Sequence, residues 1–378
     1  MLPARLAVQS FSGNTLIRGL APGSSLEGVL EEPGQSFLLV AERKVCVSQQ
    51  EQQQEQNEGG RTQTVLRWFD LQQLRQQLHF RQEGADQFRL STGEGADVAI
   101  PIYLLGKDAT GACKLAADVS KVPQAALEER QLGFKELRSL MALLDPGQLA
   151  VAGHAVALSS WHQAHQFCSR CGAPTSPVEG GGRRQCTAHK EHRAYPRTDP
   201  VVIMLVESPD GRRALLGKYK RMQGPMYTAL AGFIDQGESV EEAVTREVRE
   251  ESGVEVTQVD ILGSQPWPIG RGGSCELMIG CIAKAHSEDL SVDYNEMEDI
   301  QWMDRSDVLA AVEVADRPSN PYGGGKGDLD GGQTSPRFWI PPSFAIAHHL
   351  IKAWAQHGAS WFGEGSGRQG GQSVASSL

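Results

Sequence analysis

The hydrophobic and polar positions of the chain follow two rhythms, and each predicts its own kind of element. In the N-terminal part, short apolar runs such as SFLLVAERKVCV (36–47) and DVAIPIYLLG (97–106) are separated by turn residues, which is typical of strands. Further along, VVIMLVES and RALLGKYK flank Asp210-Gly211, a pair that favours a tight turn. We therefore predict strands in the N-terminal part and a hairpin around residues 201–220.

Helical periodicity marks other stretches. GFKELRSLMALL (133–144) predicts a short amphipathic helix, and a second helix is expected from Asp145-Pro146-Gly147 toward Cys168. FAIAHHLIKAWAQH (344–357) predicts a helix near the C-terminus, and VDILGS, ELMIGCIAKA and IQWM predict strands before it. The order of elements predicts an α+β protein in which the strand-rich second half forms a domain of its own.

Polar and glycine-rich stretches interrupt these elements. A Gln-rich stretch at about 47–62 cannot bury a core and predicts a disordered insertion. A Gly/Pro-rich loop is expected at about 316–337, and residues 359–378 predict a flexible tail. We expect three folded parts, with an N-terminal domain at 1–150, a linker helix with a compact cysteine-bearing segment at 151–197, and a further domain at 198–358.

Composition narrows the class of protein. A chain of 378 residues is too long for one ordinary core, and the lack of a long apolar run excludes a predicted membrane span. The net charge of -10 argues against broad attraction to nucleic acid or anionic lipid. Seven cysteines, three of them clustered, favour a metal site in a reducing compartment over a disulfide framework.

An acidic helix carries the clearest chemistry. Ser239-x-x-Glu242 is a capping box and Gly253 is a suitable stop, so we expect the helix to run between them. At ~100° per residue, Glu247 and Glu251 fall on the apolar, inward half, and Glu250 lies at its edge.

The same projection places Glu241, Arg249 and Ser252 on the solvent side. Carboxylates removed from water must be paired, and clustered oxygens suit hard divalent cations held together with phosphates. The alternative from the residues alone is an acidic surface helix with an irregular face, because structural ion pairs imitate such sites.

The surrounding stretch resembles the Nudix box, G-x5-E-x7-R-E-U-x-E-E-x-G-U. It matches at Gly232, Glu238, Arg246, Glu247, Val248, Glu250, Glu251, Gly253 and Val254. The resemblance implies a loop–helix–loop on a Nudix α/β/α sandwich. It also implies more than one Mg²⁺ or Mn²⁺ ion, with Glu247, Glu250 and Glu251 as catalytic metal ligands and Glu238 in a structural or outer role. Glu247 or a neighbour is expected to orient the attacking water.

A cysteine cluster precedes this domain. Cys168-x2-Cys171 is followed after fourteen residues by Cys186-x2-His189, a spacing that predicts a tetrahedral structural zinc ribbon with one Zn²⁺ per chain. His192 is the rival for the fourth position. The alternative is three structural thiols near a histidine.

The ribbon and the sequence Ser264-Gln265-Pro266-Trp267-Pro268 resemble the zinc-bearing NADH pyrophosphatases of the Nudix superfamily. A lone P-W-P is more often a packing anchor, whereas after a Nudix box a rigid aromatic face suits stacking on a base or nicotinamide. Phe11-Ser12-Gly13-Asn14-x-Leu16-x-Arg18 resembles the N-terminal signature of this group, usually F-x-G-N-x-L-x-R. Ile269-Gly270-Arg271-Gly272-Gly273-Ser274 departs from its usual pattern.

The resemblance implies further site residues beyond the Nudix box. Additional metal contacts are expected from Ala231 and Glu296, while the expected substrate contacts are Arg138, Tyr195, Phe233, Gln265, Pro266, Trp267, Pro268 and Ala347. The alternative for Glu296 is one surface acid among several, because Glu298 and Asp299 are adjacent.

The resemblance implies hydrolysis of the diphosphate bond of NADH, NADPH or NAD⁺, giving nicotinamide mononucleotide and AMP or its phosphate, in a homodimer. The alternatives are removal of NAD caps from RNA by the same site and a non-catalytic dinucleotide-binding protein. The C-terminal Ser376-Ser377-Leu378 resembles a variant peroxisomal signal seen in plant relatives, with the cytoplasm or the chloroplast as alternatives.

Overall fold

The computed structural model describes residues 10–17, 26–31, 33–51, 62–83, 86–91, 97–222, 224–317 and 336–362. Within these ranges the chain forms two compact units, one of residues 10–199 with 265–277 and the other of 200–264 with 278–362. Most of the predicted Gln-rich insertion, most of the predicted Gly/Pro-rich loop and the C-terminal Ser-Ser-Leu lie outside the described residues. We call the two units the N-terminal unit and the Nudix-box unit.

The N-terminal unit is built mainly from strands. Its helices are α1 (Leu26–Glu31), α2 (Leu71–Gln76), α3 (Gln124–Glu128), α4 (Leu137–Leu140) and α5 (Pro146–Ala164). Its strands are β1 (Ser36–Ala41), β2 (Lys44–Glu51), β3 (Thr62–Leu66), β4 (Trp68–Phe69), β5 (Phe80–Gln82), β6 (Gln87–Ser91), β7 (Asp97–Lys107), β8 (Cys113–Asp118), β9 (Gly133–Glu136), β10 (Thr175–Val178), β11 (Arg183–Cys186) and β12 (Arg193–Ala194).

The main sheet of this unit has the order β3-β2-β1-β8-β7-β6-β5, with β4 paired to β1 and β9 paired to β2. Its ladders are antiparallel except between β1 and β8, where Phe37 pairs with Leu115 in parallel. Phe37, Phe80 and Phe88 pack into a buried core on this sheet. The three-stranded sheet β10-β11-β12 forms the cysteine-bearing segment.

The Nudix-box unit is a sheet with helices on both faces. Its helices are α6 (Val240–Ser252), α7 (Arg305–Ala315) and α8 (Ile346–Gln356). Its strands are β13 (Asp199–Glu207), β14 (Arg213–Tyr219), β15 (Leu230–Phe233), β16 (Val256–Trp267), β17 (Glu276–Ala285) and β18 (Met297–Asp304), ordered β16-β17-β13-β14-β18 with β15 paired to β13. The first residue of β13, the end of β16 and the start of β17 belong to the N-terminal unit.

Alternation along β13 assigns the two faces of this sheet. Ile203 and Leu205 join the core that includes α7 and α8, while Val202, Met204 and Val206 join the core that includes α6. Successive side chains of a strand point to opposite faces, so two apolar layers can share one strand. The α/β/α sandwich expected for this part of the chain is confirmed.

Several predicted elements are confirmed. The hairpin pairs Val206 with Leu215 across the turn, where Gly211 has a φ of 74°. Helix α5 begins after Asp145, whose side chain accepts a hydrogen bond from the N–H of Gln148.

The helix predicted over residues 133–144 is wrong in its first part. Residues Gly133–Glu136 instead form β9, because they pair with β2, so that Lys44 lies opposite Glu136. The remaining helix is only Leu137–Leu140. Helix α7 was not expected from the sequence. The N-terminal side of the Gln-rich stretch is likewise a strand, since β2 continues to Glu51.

A buried carboxylate ties together the far side of the Nudix-box unit. Glu207 is fully buried at the end of β13 and accepts hydrogen bonds from Trp354, Ser360 and the backbone N–H of Trp361. Lys284 lies 3.1 Å from it as an ion pair.

Arg305 is the second cation of this cluster, 3.7 Å from Glu207. Burial by itself raises the pKa of Glu207, but the hydrogen bonds from Ser360, Trp361, Trp354 and Lys284 outweigh it and hold the pKa below its usual value. The carboxylate is therefore ionised and joins β13 to the end of the described chain.

We predict that Glu207→Gln lowers the free energy of unfolding by about 3–5 kcal/mol, because Lys284 and Arg305 lose their buried counter-charge. Glu298→Gln is the control, since the Lys218–Glu298 pair is half exposed at the glutamate and should be worth at most about 1 kcal/mol. Urea unfolding of the metal-free protein measures both. Equal losses for the two variants would contradict the importance of the buried cluster.

Candidate metal centres and substrate-facing residues

Helix α6 begins and ends where the capping signals predict. The Ser239 side chain accepts a hydrogen bond from the N–H of Glu242, and the Glu242 carboxylate accepts one from the N–H of Ser239. Gly253 ends the helix with a φ of 77°, a left-handed conformation that glycine adopts without strain. The predicted bounds of the acidic helix are confirmed.

The three box glutamates differ in exposure. The side chain of Glu247 is 14% exposed, that of Glu250 is 56% exposed, and Glu251 is 4% exposed. The helix therefore turns Glu247 and Glu251 inward and leaves Glu250 at the edge, as expected. The placement of Ser252 was wrong: it is fully buried, and its hydroxyl donates to the carbonyl of Val248.

Arg246 is the cation that the helix itself supplies. Its guanidinium donates to both carboxylate oxygens of Glu238, at 2.6 and 2.9 Å, and to Glu247 at 2.8 Å. It also reaches Glu250 at 3.0 Å and the carbonyl of Phe233 at 2.9 Å. The bidentate pair to Glu238 fixes the loop before the helix, which fits the structural role expected of that glutamate.

Gly232 leaves room for the Glu247 carboxylate against strand β15. A Cβ atom at position 232 would lie 1.8 Å from the carboxyl carbon of Glu247. Any side chain there would displace the carboxylate, so the close approach of strand and helix requires glycine. This explains in physical terms why the first box position is fixed.

Glu251 is the most unusual carboxylate of the site. One of its oxygens, Oε1, accepts a hydrogen bond from the hydroxyl of Tyr219 at 3.0 Å. The other, Oε2, is buried with no hydrogen-bond partner. A buried carboxylate oxygen without a partner costs free energy, and a bound cation would remove that cost.

The pKa values of the cluster report the same imbalance. Burial, followed by repulsion from Glu247, Glu296 and Glu250, raises the pKa of Glu251 to about 8 even though Tyr219 donates to it. Burial also raises the pKa of Glu247 above its usual value, against the opposing effect of Arg246. The pKa of Glu238 falls to about 2 because Arg246 donates to it. One arginine therefore compensates the loop glutamate but leaves the inward pair under-compensated.

Glu296 lies on the loop that meets the end of α6. The N–H of Asp293 donates to the carbonyl of Glu251, and the N–H of Glu296 donates to the carbonyl of Asp293. The charge of Glu296 is felt at Glu251 and Glu247, where it raises both pKa values. The backbone of Ala231 lies beside the same group, since its N–H donates to Tyr219 at 2.8 Å.

The oxygen donors of this cluster suit Mg²⁺ or Mn²⁺ in kind. Arg246 joins Glu247 to Glu250, and Tyr219 joins Ala231 to Glu251. In the described part of the chain, the group of potential ligands whose atoms all lie within 4.8 Å of one another is the cysteine cluster described next. The carboxylates of α6 lie further apart than that. A single arginine does not balance the repulsion among these carboxylates, so we expect them to approach one another more closely only around a cation.

The cysteine cluster forms a four-residue site with the chemistry of a zinc ribbon. The ligand atoms of Cys168, Cys171, Cys186 and His192 all lie within 4.8 Å of one another. The Sγ of Cys168 is 3.6 Å from Nδ1 of His192, and the sulfurs of Cys171 and Cys186 are 3.6 Å apart. Three sulfurs and one imidazole at this closeness fit a structural zinc site.

His192 therefore takes the position that the spacing predicted for His189, which corrects the fourth member of the site. The N–H of Cys186 donates to the carbonyl of His192, which brings the start of β12 beside the end of β11. The side chain of His189 is instead half exposed and faces Glu191 at 3.6 Å. A backbone hydrogen bond from Arg170, followed by the N–H of Cys171, lowers the pKa of Cys168 to about 6, which favours the thiolate that binds a metal.

The predicted substrate residues are divided between the two units. Phe233 in the Nudix-box unit is 45% exposed, whereas Ala347 is buried in the first turn of α8. In the N-terminal unit, Tyr195 is 61% exposed and Arg138 is exposed on α4. The rings of Tyr195 and Phe233 are therefore each accessible at the surface of their own unit.

The Gln265–Pro268 segment packs against the N-terminal signature. Gln265 is buried and donates to the carbonyl of Ser10 at 3.2 Å, and Trp267 lies edge-on to Phe11 with ring centroids 6.0 Å apart. Trp267 is half-buried rather than enclosed. Pro266 precedes it with intermediate burial, and Pro268 is buried. Arg18 of the N-terminal signature lies outside the described residues.

Tyr219, whose hydroxyl donates to Glu251, was not among the site residues predicted from the sequence. It lies outside the Nudix box, at the end of β14, and nothing in its local pattern separates it from an ordinary core aromatic. The signal available was indirect: an inward Glu251 needs a buried donor, and alternation along RALLGKY points Tyr219 toward the face of α6.

No helix among the described residues is long and apolar enough to cross a membrane.

Three family models match consecutive parts of this chain. Residues 34–161 match the NADH pyrophosphatase-like rudimentary NUDIX domain, residues 163–192 match the NADH pyrophosphatase zinc ribbon domain, and residues 197–322 match the NUDIX domain. These matches confirm the resemblance inferred from the box, the cysteine spacing and the tryptophan motif.

Curated relatives match somewhat more than half of the chain. "Nudix hydrolase 19, chloroplastic" of Arabidopsis thaliana is 44% identical over 251 residues, which is 60% of this chain and 57% of the relative. "NAD-capped RNA hydrolase NUDT12" of Homo sapiens is 41% identical over 214 residues, 55% of this chain and 42% of the relative. "NAD(P)H pyrophosphatase NUDT13, mitochondrial" of Homo sapiens is 40% identical over 225 residues, 59% of each. The chain thus spans about half the length of these curated relatives.

We predict that the protein carries about one zinc per chain and that His192→Ala and Cys186→Ala lose it, because each removes one of four ligands. His189→Ala is the matched control and should keep the metal. Zinc content after dialysis against a mild chelator, together with the unfolding midpoint, measures the effect. Loss of zinc from the His189 variant with retention in the His192 variant would contradict this ligand set.

Proposed function

Because this chain belongs to the Nudix family and carries the zinc ribbon and rudimentary Nudix domain of NADH pyrophosphatases, we propose that it hydrolyses the diphosphate bond of NADH, NADPH or NAD⁺. The products are nicotinamide mononucleotide and AMP, or AMP carrying the additional phosphate of NADPH. The nicotinamide ring serves recognition and keeps its oxidation state. Relatives named as NAD(P)H pyrophosphatases and NAD-capped RNA hydrolases support this substrate class.

One observation carries the proposal: the inward carboxylate of Glu251 has a buried oxygen without a hydrogen-bond partner. A surface helix with an irregular acidic face would expose its carboxylates to water. Here Glu251 is buried and its pKa is raised to about 8, mainly by burial. Such a group is expected to bind a cation while the helix and the sheet stay folded.

The residues that would hold Mg²⁺ or Mn²⁺ are Glu247, Glu250, Glu251, Glu296 and the backbone carbonyl of Ala231. When bound, the cations supply neutralisation of the diphosphate charge and activation of water. Glu251 must lose its proton to bind a cation, and its pKa is about 8, so metal binding is coupled to proton release.

The remaining roles belong to side chains of this chain. The Glu247 carboxylate packs against Gly232, and one of its oxygens accepts a hydrogen bond from Arg246. These two contacts hold the side chain in place, which suits a residue that orients the attacking water. Arg246 holds Glu238 and Glu250 in place by hydrogen bonds. Phe233 supplies an exposed ring for the nicotinamide.

Other predicted contacts lie in the N-terminal unit. We assign Tyr195 and Trp267 to stacking and Arg138 to the substrate phosphates, with Gln265, Pro266 and Pro268 holding the tryptophan loop. Ala347 provides a small wall at the start of α8 for the nucleotide. The zinc ribbon takes a structural role, because all four of its positions are filled by protein.

Removal of NAD caps from RNA is the second candidate function. The same bond would be cut, and the human relative NUDT12 is named as an NAD-capped RNA hydrolase. The net charge of -10 gives no general attraction for an RNA chain, so we place the free dinucleotide first.

We predict that the protein with Mg²⁺ or Mn²⁺ cleaves NADH between its phosphates, and that Glu250→Gln or Glu251→Gln lowers kcat by more than about a hundredfold, since even outer partners of a metal cost 10- to 100-fold. Products are identified by chromatography over a panel of NADH, NAD⁺, NADPH, ADP-ribose, FAD and NAD-capped RNA. Glu241→Gln, on the solvent side of α6, is the control.

Undiminished turnover by the Glu251 variant would exclude the assignment of the metal ligands. Cleavage of capped RNA in strong preference to free NADH would reverse the order of the two candidate functions. Full activity after exhaustive chelation would exclude the proposed chemistry altogether.

We also propose a homodimer and a peroxisomal location, both on the resemblance alone. Sedimentation should give about twice the mass of one chain, as expected for closed two-fold assemblies. Deletion of Ser376-Ser377-Leu378 should redistribute a tagged protein out of peroxisomes. An unchanged distribution would leave the chloroplast, named for the plant relative, or the cytoplasm.

A further inference from the structure

Tyr219 connects several elements of the candidate metal site although it is not part of the Nudix box. It is the last residue of β14 and is buried in the core beneath α6. Its hydroxyl donates to Oε1 of Glu251 at 3.0 Å and accepts from the N–H of Ala231 at 2.8 Å. One hydroxyl thus links the strand and the helix that carry four of the five assigned metal contacts.

The loop that carries Glu296 ends where β18 pairs with Tyr219. The ladder between β14 and β18 shifts register at this point, so that Lys218 pairs with Asp299 but Tyr219 pairs with Met297. Met297 directly follows Glu296, the acid of the loop. Register shifts in sheets are over-represented beside active sites, where they change the direction of side chains.

The hydrogen bond from Tyr219 decides which oxygen of Glu251 is free. A tyrosine has a single hydroxyl hydrogen, and the Glu251 carboxylate is nearer than the carbonyl of Ala231, which lies 3.3 Å away. With Oε1 engaged, Oε2 remains as the buried oxygen without a partner.

We propose that Tyr219 is a positioning residue for the divalent cation, holding the Glu251 carboxylate in one orientation so that Oε2 is presented to the metal. This inference rests on the proposed function for its biological purpose, but its geometry concerns metal binding alone. Outer partners that orient metal ligands contribute substantially to affinity. The same hydroxyl fixes β15 at Ala231, so strand and helix keep a constant separation at the site.

A purely structural tyrosine would behave differently. The ring packs among apolar residues of this core, and phenylalanine would fill the same volume. Removing the hydroxyl leaves the packing in place but frees the Glu251 carboxylate to rotate. A structural role predicts a change in stability without metal, whereas the positioning role predicts a change in metal affinity.

The test compares the wild type with Tyr219→Phe and Tyr227→Phe. Tyr227 is the matched control because its hydroxyl also donates to a carboxylate, that of Asp299, at 2.5 Å in the same unit. Mn²⁺ affinity is measured by electron paramagnetic resonance titration of the full chain without substrate. Tyr219→Phe should weaken Mn²⁺ binding about 10- to 100-fold. Tyr227→Phe should change it less than about twofold, because no assigned metal ligand contacts that hydroxyl.

Two further measurements separate positioning from folding. In the background of Glu251→Gln, Tyr219→Phe should have little additional effect on Mn²⁺ affinity, because the two residues act as one unit. Placing 4-aminophenylalanine at position 219 restores an N–H donor on the same ring and should recover most of the affinity. If the phenylalanine variant does not fold in the absence of metal, a loss of about tenfold or more in the aminophenylalanine variant would overturn the positioning role, because its N–H donor is intact.

The outcomes for this inference and for the proposed function are distinct. If the wild type cleaves NADH and Tyr219→Phe has an unchanged Mn²⁺ affinity, the positioning role is overturned and the proposed function stands. The positioning role would also be overturned if Tyr219→Phe weakened Mn²⁺ binding as much in the Glu251→Gln variant as in the wild type. A weakened affinity in a protein whose wild type cleaves no dinucleotide would support Tyr219 and refute the proposed substrate class.

Discussion

The burial of acidic side chains against a sheet with too little positive charge is the constraint on which the site depends. Arg246 serves three glutamates at once, and its strongest contacts go to Glu238 in the loop. The inward carboxylates of Glu247 and Glu251 keep raised pKa values because burial and mutual repulsion exceed that compensation. The fold therefore stores an electrostatic cost at one place, which a divalent cation would relieve.

That cost is sustained by the rest of the Nudix-box unit. Strand β15 approaches α6 closely only because position 232 is glycine, and Tyr219 holds the strand and the helix together from below. On the opposite side of the sheet, Glu207 shows how the same fold treats a buried acid that has no metal role. Two cations and several hydrogen bonds surround it, and its pKa is lowered. The contrast between Glu207 and Glu251 separates a carboxylate that the protein itself compensates from one that it does not, as we propose for a metal ligand.

Sequence reasoning succeeded where local signals agree with the tertiary structure. The capping box, Gly253 and the helical positions of Glu247 and Glu251 depend on neighbours in the chain, so spacing alone predicts them. It failed where distant pairing decides the outcome: Gly133–Glu136 is a strand because β2 pairs with it. His192 replaces His189 because the ribbon strands, and not the spacing, bring its ring to Cys168. Tyr219 was missed since a core aromatic and a hydrogen-bond donor to Glu251 have the same local pattern.

The most direct test of the account is a crystal of the protein soaked with Mn²⁺, with anomalous scattering recorded above the manganese absorption edge. We expect a peak beside Oε2 of Glu251, shared with oxygens of Glu247 and Glu250, at roughly 2.0–2.3 Å from its ligands. The carboxylates should have moved toward one another, and Oε1 of Glu251 should still accept its hydrogen bond from Tyr219. A fully occupied soak with manganese elsewhere, and none at Glu251, would contradict the claim that these acids are buried in order to hold a cation.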